Sequence, residues 1–314
     1  MADAHIEPDV GRGTLVWDAL VSKRLGFSRA VAANHHLRCW PMISSNVVKA
    51  ISSPLKFRGI PRLLFATRHW FLGTAPRLFD MGGFQMMLDP NDYFQCMMFY
   101  GRYGLDILRI FEKHVHPGDT VLDIGAHIGF FALHLGNAVG RCGHVYAFEP
   151  DPRPVEYLKA SLAASEMDWV QISPIAIAAK EGTIPFFLSP VLGWSTGVKV
   201  THLTGLRKII VPTIPLDLMV ERGEIPDKIR LIKIDVEGFE MEVLRGLRKT
   251  LETAQPILIV EINPGMLAYQ ESSPAELFRF LTSLGYRILT THLCPLSRVA
   301  TQETIDVLCL PRGR

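Results

Sequence analysis

The sequence has few cysteines, and they are spread along its length. Five occur in 314 residues, with no C-x-x-C pair among them. This pattern argues against a disulfide framework or a structural zinc site, and it favours a reducing cytoplasm. We expect no signal peptide, because residues 1–13 are polar and acidic. We also expect no membrane-spanning helix, because no uncharged run of eighteen apolar residues occurs.

Acidic residues are absent from residues 19–79, where Lys and Arg together number ten. Because the formal net charge of the whole chain is only +2, the remainder is net acidic. A basic region of this kind suggests contact with an anionic partner. A helical extension that docks on the acidic body explains it equally well. We predict a basic helical N-terminal extension at residues 1–80, interrupted by several prolines.

Residues 62–72 form a basic amphipathic segment within this extension. Such a segment could lie on an anionic membrane surface, which would make residues 19–79 a peripheral membrane contact. We favour the alternative that the apolar stripe packs on the neighbouring domain. No nucleic-acid partner is expected, because the basic region carries no recognisable binding motif.

From residue 83 onwards, strand patterns alternate with helix patterns. This alternation predicts an α/β fold with a doubly wound, mostly parallel sheet. The last two strands are joined by a short connection and should be antiparallel. Strands are predicted at 84–88, 120–124, 144–148, 169–173, 230–235, 256–262, 287–291 and 304–310, and helices at 92–114, 129–139, 154–165, 241–250 and 273–284.

A long interruption, residues 182–218, separates the third and fourth strands of this sheet. Residues 183–188 and 208–213 could form two further strands, on either side of the sequence GWSTG at 193–197. A loop of this length inside a compact domain is usually functional or disordered. We expect a functional loop, because an aromatic residue lies between two glycines close to the ligand-binding edge.

The dinucleotide fingerprint G-x-G-x-x-G is also absent. The corresponding turn, within VLDIGAHIGFF at 121–131, has its glycines four residues apart, at Gly125 and Gly129. It joins a strand to a helix, whose first backbone N–H groups are free to face a ligand. The residues of the turn, which also include Ala126 and His127, let the backbone approach that ligand closely.

Two acids accompany the turn. Asp123 lies near the end of the first strand and can accept a hydrogen bond from an ammonium group. Glu149 ends the second strand, 24 residues after Gly125, where an acid suits two ribose hydroxyls. A helix cap or a loop hydrogen bond is the plainer interpretation of each acid. Together with the turn, they look like the nucleotide site of an S-adenosylmethionine-dependent methyltransferase.

A second acidic group follows the fourth strand, in LIKIDVEGFE at 231–240. Asp235 and Glu237 are alternate residues at a strand end, so both should reach the cleft. Glu240 is better explained as an acid favoured by the N-terminus of a helix. Lys233 lies within the strand and would be costly to bury unpaired, so we expect an acidic partner nearby.

These segments resemble the FkbM family of methyltransferases over residues 83–311. The resemblance is carried by DIGAHIG at 123–129, FEP at 148–150, residues 212–218, KIDVEGFE at 233–240 and VLRG at 243–246. The family usually has Asn at the position of His127 and a Glu within 101–105.

The resemblance implies a class I methyltransferase domain at residues 81–314, with 182–218 as an insertion. Its Rossmann-like sheet would have seven strands, mostly parallel, with an antiparallel last strand. The implied reaction is S-adenosylmethionine-dependent O-methylation of a sugar, glycan or natural-product hydroxyl. The implied cofactor contacts are Asp123, Gly125, Ala126, His127, Gly129, Glu149, Ala176 and Asp235.

Three candidates remain for the proton transfer that a hydroxyl acceptor needs. We expect Asp235 or Glu237 to be the catalytic base. His127 is the third candidate, because imidazole titrates near neutrality, but a role in the turn against the cofactor is favoured. In a metal-assisted variant, Asp235, Glu261 and Asn263 would converge on Mg²⁺. We favour the simpler role for Glu261, a hydrogen bond to loop backbone or substrate.

Two other classes of protein remain to be weighed. A nicotinamide oxidoreductase would need the tighter glycine fingerprint that is missing. A non-catalytic S-adenosylmethionine-binding or scaffold protein would keep Asp123 and Glu149 but would not need Asp235 and Glu237. We therefore expect an enzyme that acts on a small-molecule or glycan acceptor, located in the cytoplasm, with peripheral membrane contact left open.

Overall fold

The computed structural model describes residues 60–190, 195–198, 205–296 and 303–312. Most of the basic region predicted at 1–80 lies outside these residues, as do Gly193 and Trp194 of the insertion. The described part begins with helix α1 (Ile60–Phe71), where the amphipathic pattern of 62–72 predicts one. Among the described residues, no helix is both long enough and apolar enough to cross a membrane.

A short hairpin and two helices precede the main sheet. Strand β1 (Arg77–Asp80) pairs antiparallel with β2 (Gln85–Leu88), so the end of the predicted extension is a strand. The single helix predicted at 92–114 is wrong, because the chain forms α2 (Tyr93–Phe99) and α3 (Leu105–His114) instead.

The break between α2 and α3 has a steric cause. Gly101 and Gly104 have left-handed φ angles of 62° and 63°, which side chains other than hydrogen tolerate poorly. A Cβ atom at Gly104 would also lie 2.8 Å from the ring of Phe131. Two glycines three residues apart therefore end one helix and redirect the chain into the next.

The remaining elements follow the predicted alternation of strands and helices. In chain order they are β3 (Thr120–Ile124), α4 (Phe130–Val139), β4 (His144–Phe148), α5 (Pro152–Ser165), β5 (Val170–Ser173), β6 (Ala176–Ile177), β7 (Gly182–Leu188), β8 (Arg207–Ile214), α6 (Leu216–Glu221), β9 (Leu231–Ile234), α7 (Glu240–Gly246), α8 (Arg248–Thr253), β10 (Ile257–Ile262), α9 (Pro264–Ala268), α10 (Pro274–Ser283), β11 (Tyr286–Thr290) and β12 (Ile305–Pro311).

Seven of these strands form the main sheet, in the order β11-β12-β10-β9-β3-β4-β5. The β10-β9-β3-β4-β5 ladders are parallel, whereas β12 runs antiparallel to both β10 and β11. The predicted class I methyltransferase arrangement is confirmed. The strand order reverses between β3 and β9, which is where open α/β sheets bind their ligands.

Both faces of the main sheet are buried, as expected for a mostly parallel sheet. Alternate residues of β3 face opposite sides, so Val121 joins one apolar cluster with Leu133 of α4, and Leu122 joins another with Val243 of α7. Fully burying such side chains stabilises the fold by about 1.5–3 kcal/mol each.

Two strands of the insertion, β7 and β8, form a second sheet with the preceding β6, in the order β6-β8-β7. The two strands predicted within it correspond to β7 and β8, which pair antiparallel over seven residues. Strand β6 was not predicted and pairs parallel with β8 through Ala176 and Ile177. The insertion is therefore joined through β6 to the carboxyl end of β5, at the ligand-binding edge of the main sheet.

Candidate active site

The turn between β3 and α4 is held against the neighbouring strands. The amides of Gly125 and Ala126 donate to the carbonyl oxygen of Phe148, at 2.9 and 3.0 Å. A Cβ atom at Gly125 would overlap the carbonyl oxygen of Asp235, and its φ of 86° is left-handed. Glycine is therefore required here, and it brings the turn into contact with the end of β9.

The other glycine of the turn, Gly129, lies against α5. Its φ is also 86°, and a Cβ atom there would collide with the side chain of Leu158. The close approach fixes the first turn of α4, which begins at Phe130. The backbone of the turn is thus positioned by two neighbours before any ligand binds.

Asp123 is buried near the end of β3 and is only 1% exposed. Neither carboxylate oxygen accepts a hydrogen bond of ordinary geometry from the described residues. The Lys233 ammonium lies 3.9 Å from Oδ1. Burial raises the pKa of Asp123 to about 6, against the opposing effect of Lys233. A buried carboxylate with unused acceptor capacity suits a ligand that carries an ammonium group.

Glu149 follows β4 and orders two loops. Its Oε2 accepts from the His127 amide at 2.9 Å, and Oε1 accepts from the Asp151 amide at 2.8 Å. Burial raises the pKa of Glu149 to about 7, although both backbone hydrogen bonds act to lower it. Each carboxylate oxygen can accept more than one hydrogen bond, so loop support and ribose binding are compatible.

Lys233 supplies the positive charge of the site. It is 2% exposed, and its Nζ lies 2.9 Å from Oδ2 of Asp235 and 4.6 Å from the centre of the Phe131 ring. The acidic partner expected for this lysine is therefore confirmed. Burial alone would lower the pKa of Lys233, but Asp235 and Asp123 together raise it well above its ordinary value.

Asp235 and Glu237 lie close together after β9, but their surroundings differ. Burial would raise the pKa of Asp235, yet Lys233 and a hydrogen bond with Glu261 hold it below its ordinary value. The pKa of Glu237 is raised well above its ordinary value by burial and by Asp235. No ion pair to Glu237 occurs within the described part of the chain.

Glu261 completes a group of three carboxylates. One oxygen each from Asp235, Glu237 and Glu261 lies within 4.8 Å of the others. Burial, Asp235 and Glu237 raise the pKa of Glu261 well above its ordinary value, and its hydrogen bond with Asp235 adds to this shift. Three carboxylate oxygens are a donor set that Mg²⁺ accepts. The Lys233 ammonium, however, already compensates Asp235.

The third ligand of the metal-assisted variant has another role in the structure. Oδ1 of Asn263 accepts from the amide of Met266 at 3.2 Å and caps α9. The acid that stands beside Asp235 and Glu261 is Glu237. The donor set considered from the sequence therefore differs from the group that the fold brings together.

His127 and Ala176 occupy different parts of the site. His127 has a left-handed φ of 50°, and its Nε2 is buried with no hydrogen-bond partner among the described residues. Burial lowers its pKa to about 4, so the imidazole is neutral. Ala176 is buried in β6, three residues beyond β5, where it pairs with Thr213.

Comparison with known proteins identifies the family. The profile described as "Methyltransferase FkbM domain" matches residues 123–288, which include the turn, Asp123, Glu149 and the group of three carboxylates. The chain belongs to the FkbM methyltransferase family. It is an S-adenosylmethionine-dependent methyltransferase.

Two curated relatives support this membership. A protein of Haloferax volcanii named hexuronic acid methyltransferase AglP is 30% identical over 195 residues, which are 62% of this chain and 72% of AglP. Methyltransferase 1 of Beauveria bassiana is 24% identical over 149 residues, 42% of this chain and 59% of that protein.

Among solved structures, the FkbM methyltransferase of Methylobacillus flagellatus is similar with a TM-score of 0.41 and 16% identity. The match covers 81% of this chain and 59% of that one. A putative rRNA methylase of Clostridium thermocellum also matches, with a TM-score of 0.41 and 13% identity, over 65% of this chain and 92% of that one.

In this FkbM methyltransferase, two adjacent residues attach the insertion to the site. Oγ of Ser195 donates to Oδ2 of Asp151 at 2.7 Å, and Arg153 binds the same carboxylate oxygen at 2.6 Å. Oγ1 of Thr196 donates to the carbonyl oxygen of Glu237 at 2.7 Å. The sequence predicted a functional loop here but gave no sign of these partners.

A further acid, Asp306, was missed by the sequence reasoning. Asp306 on β12 is the direct cross-strand neighbour of Glu261 on β10. Burial raises its pKa to about 6, with Lys233 opposing and Asp235 adding to the shift. The phenol of Tyr103, whose pKa burial raises strongly, interacts with the same group of charges. The acidic site thus extends from β9 across β10 to β12.

Proposed function

We propose that this FkbM methyltransferase transfers the methyl group of S-adenosylmethionine to a hydroxyl of a sugar or glycan acceptor. The relative AglP, which is named for a hexuronic acid, supports a sugar acceptor. The group of acids at the end of β9 supports an enzyme rather than a scaffold, because a binding protein has no need of a proton acceptor beside the cofactor.

The cofactor would lie over the turn at the carboxyl ends of β3 and β4. Asp123 would accept from the ammonium of the methionine moiety, and Glu149 from the ribose hydroxyls. The unused acceptor capacity of Asp123 and the close backbone at Gly125 support this position. The further contacts proposed are Ala126, His127, Gly129, Ala176 and Asp235.

Asp235 and Glu237 have different roles in the proposed catalysis. Asp235 is held ionised by Lys233 at 2.9 Å, so it is a weak base but a suitable neighbour for a cationic donor. Glu237 forms no ion pair in the described chain, and its raised pKa makes its ionised form the stronger proton acceptor. We therefore assign Glu237 as the general base.

The proposed reaction is an in-line displacement. When bound, S-adenosylmethionine would supply a methyl carbon activated by its sulfonium, and its thioether would leave with the electrons of the carbon–sulfur bond as the acceptor oxygen bonds to that carbon. The hydroxyl proton passes to Glu237. Burial of the carboxylates excludes water, and the alignment of the two substrates contributes up to about 7–11 kcal/mol to catalysis.

The test separates cofactor binding from catalysis. The variant Glu237→Gln should lower kcat by about 10²- to 10⁴-fold with little change in the Kd for S-adenosylmethionine measured by calorimetry. Its rate should also lose the acidic limb of the pH profile. The variant Asp235→Asn should weaken cofactor binding instead.

A matched control is Glu242→Gln, because Glu242 forms an ion pair with Arg245 at 2.6 Å on the first turns of α7. This variant should behave like the wild type. If Glu237→Gln kept nearly full turnover with cofactor bound, the assignment of the base would be wrong. If the wild type bound no S-adenosylmethionine, the whole proposed function would fail.

Residues 1–80 are proposed as an accessory extension to a catalytic domain at 81–314 whose insertion is 182–218. Leu63 and Trp70, seven residues apart on one face of α1, are each 63% exposed. They support a peripheral contact with an anionic membrane, from the cytoplasmic side. Sedimentation with vesicles that contain phosphatidylserine tests this contact, and the double variant Leu63→Glu/Trp70→Glu should remain in the supernatant.

A further inference from the structure

A cleft of about 600 Å³ opens beside Asp306, between the start of α3, the end of β11 and the start of β12. One wall is formed by residues 102, 104–107 and 109, and the other contains Thr290 and Thr291 from the end of β11. These strand ends lie at the carboxyl edge of the main sheet, the same edge as Asp235. The volume is in the range that holds a small organic ligand.

The cleft has both charged and apolar walls. Its polar groups can recognise hydroxyls, because carboxylates accept hydrogen bonds from hydroxyl groups and guanidinium groups donate hydrogen bonds to them. Its apolar side chains can contact the apolar face of a ring. The polar lining includes Arg102, Asp106, Thr291 and Asp306, and the apolar lining includes Leu105 and Leu296.

Asp306 connects this cleft with the catalytic group. It lines the cleft, and it is paired across the β10–β12 ladder with Glu261. Side chains of directly opposed residues lie on the same face of a sheet, with Cβ atoms about 5 Å apart. Glu261 in turn hydrogen-bonds to Asp235. A ligand in the cleft that touched Asp306 would therefore have its hydroxyls next to the carboxylates of the site.

We propose that this cleft is the acceptor subsite and that it takes a pyranose ring. Asp306 and Arg102 read neighbouring hydroxyls of the ring, while Leu105 and Leu296 cover its apolar face. The cleft contains two arginines and two aspartates, so its recognition is directed at hydroxyls rather than at net charge. The inference rests on the proposed sugar O-methylation and gives that reaction its binding site.

The test is a substitution that fills the cleft and leaves the turn between β3 and α4 unchanged. Methyl transfer from labelled S-adenosylmethionine is measured with the full chain, using the methyl glycosides of glucose and glucuronic acid as acceptors. The variant Thr291→Trp places a large side chain in the cleft. Thr253→Trp is the matched control, because Thr253 is exposed at the end of α8, before β10 begins and thus at the opposite edge of the sheet.

Thr291→Trp should abolish transfer or raise the acceptor KM at least tenfold, while the Kd for S-adenosylmethionine stays within twofold of the wild-type value. Asp306→Asn should raise the acceptor KM roughly ten- to a hundredfold, the loss of a hydrogen bond to a charged group, with cofactor affinity unchanged. Thr253→Trp should match the wild type in both measurements.

Wild-type kcat/KM in Thr291→Trp would overturn the cleft assignment. If the wild type methylated only non-carbohydrate hydroxyls, and Thr291→Trp lost that activity, the cleft would still be the acceptor site but its ligand would not be a pyranose. Failure of the wild type to bind S-adenosylmethionine would mark a failure of the proposed function, and the subsite would fall with it. Equal transfer to both glycosides supports recognition through the hydroxyls. Transfer to the glucuronide alone would refute recognition through the hydroxyls.

Discussion

Replacing Lys233 by Met should destabilise the protein strongly and in a pH-dependent manner. At an effective dielectric constant of about 20, the attraction of Lys233 to Asp235 at 2.9 Å is about 6 kcal/mol, and to Asp123 at 3.9 Å about 4 kcal/mol. Desolvation of the ammonium cancels several kcal/mol of this sum. Removing one partner of a buried pair therefore costs about 3–5 kcal/mol.

The pH dependence of this loss has a definite sign. The lowered pKa of Asp235 stabilises the wild type above the ordinary carboxyl range, and this contribution disappears as the pH falls. The raised pKa of Lys233 stabilises it at all pH values below the ordinary lysine range. In the variant, Asp235 and Asp123 lose their cation and take up protons. The loss should be full at about pH 8 and smaller at about pH 4, where the variant's carboxyls are protonated but Asp235 of the wild type is still largely ionised.

Urea unfolding followed by circular dichroism at both pH values measures the free energy of unfolding. The double variant Lys233→Met/Asp235→Asn should recover part of the loss, because it leaves one fewer buried charge unpaired. Lys249→Met is the matched control, since Lys249 forms an ion pair of 2.8 Å with Glu221 but is exposed, and it should lose little. Equal stability of Lys233→Met and wild type at about pH 8, or a loss independent of pH, would refute the reasoning.

Three further predictions concern the ligand. Gly125→Ala should abolish cofactor binding in calorimetry, because its methyl group meets the carbonyl of Asp235, whereas Gly140→Ala, with a similar left-handed φ but open space, should bind normally. Binding of the cationic cofactor should release protons from Glu149 and Glu237, because the pKa values of both acids are raised. The binding enthalpy measured near neutral pH should therefore vary with the ionisation enthalpy of the buffer. An enthalpy that is the same in all buffers would contradict this prediction. Turnover should survive EDTA, because Lys233 already compensates Asp235, and activity restored only by added Mg²⁺ would favour the metal-assisted variant.

The local features of the fold could be predicted because they depend on short segments. The strand at 120–124 and its glycine turn follow from a run of apolar residues and two glycines, and the partner of Lys233 follows from the cost of burying an ammonium. The single helix at 92–114 was predicted wrongly, because the apolar pattern was given more weight than Gly101 and Gly104, whose left-handed angles break it.

Other parts of the site depend on register and could not be predicted. Asp306 lies opposite Glu261 only because β12 pairs with β10 in one particular alignment, across 45 positions of sequence. The capping role of Asn263, by contrast, could have been predicted from the local sequence, since Asn followed by Pro264 is typical of a helix N-cap and first turn. The contact of Thr196 with Glu237 joins segments that no local pattern relates.

The attachment of the insertion by Ser195 and Thr196 has a consequence for protein engineering. These neighbouring residues bind two separate loops, one at Asp151 after β4 and the other at the backbone of Glu237 after β9. A hairpin transplanted from a relative would need this dipeptide at the same position to leave the base undisturbed. Conversely, exchanging or lengthening β7 and β8 while keeping this dipeptide should leave the carboxylates of the site in place.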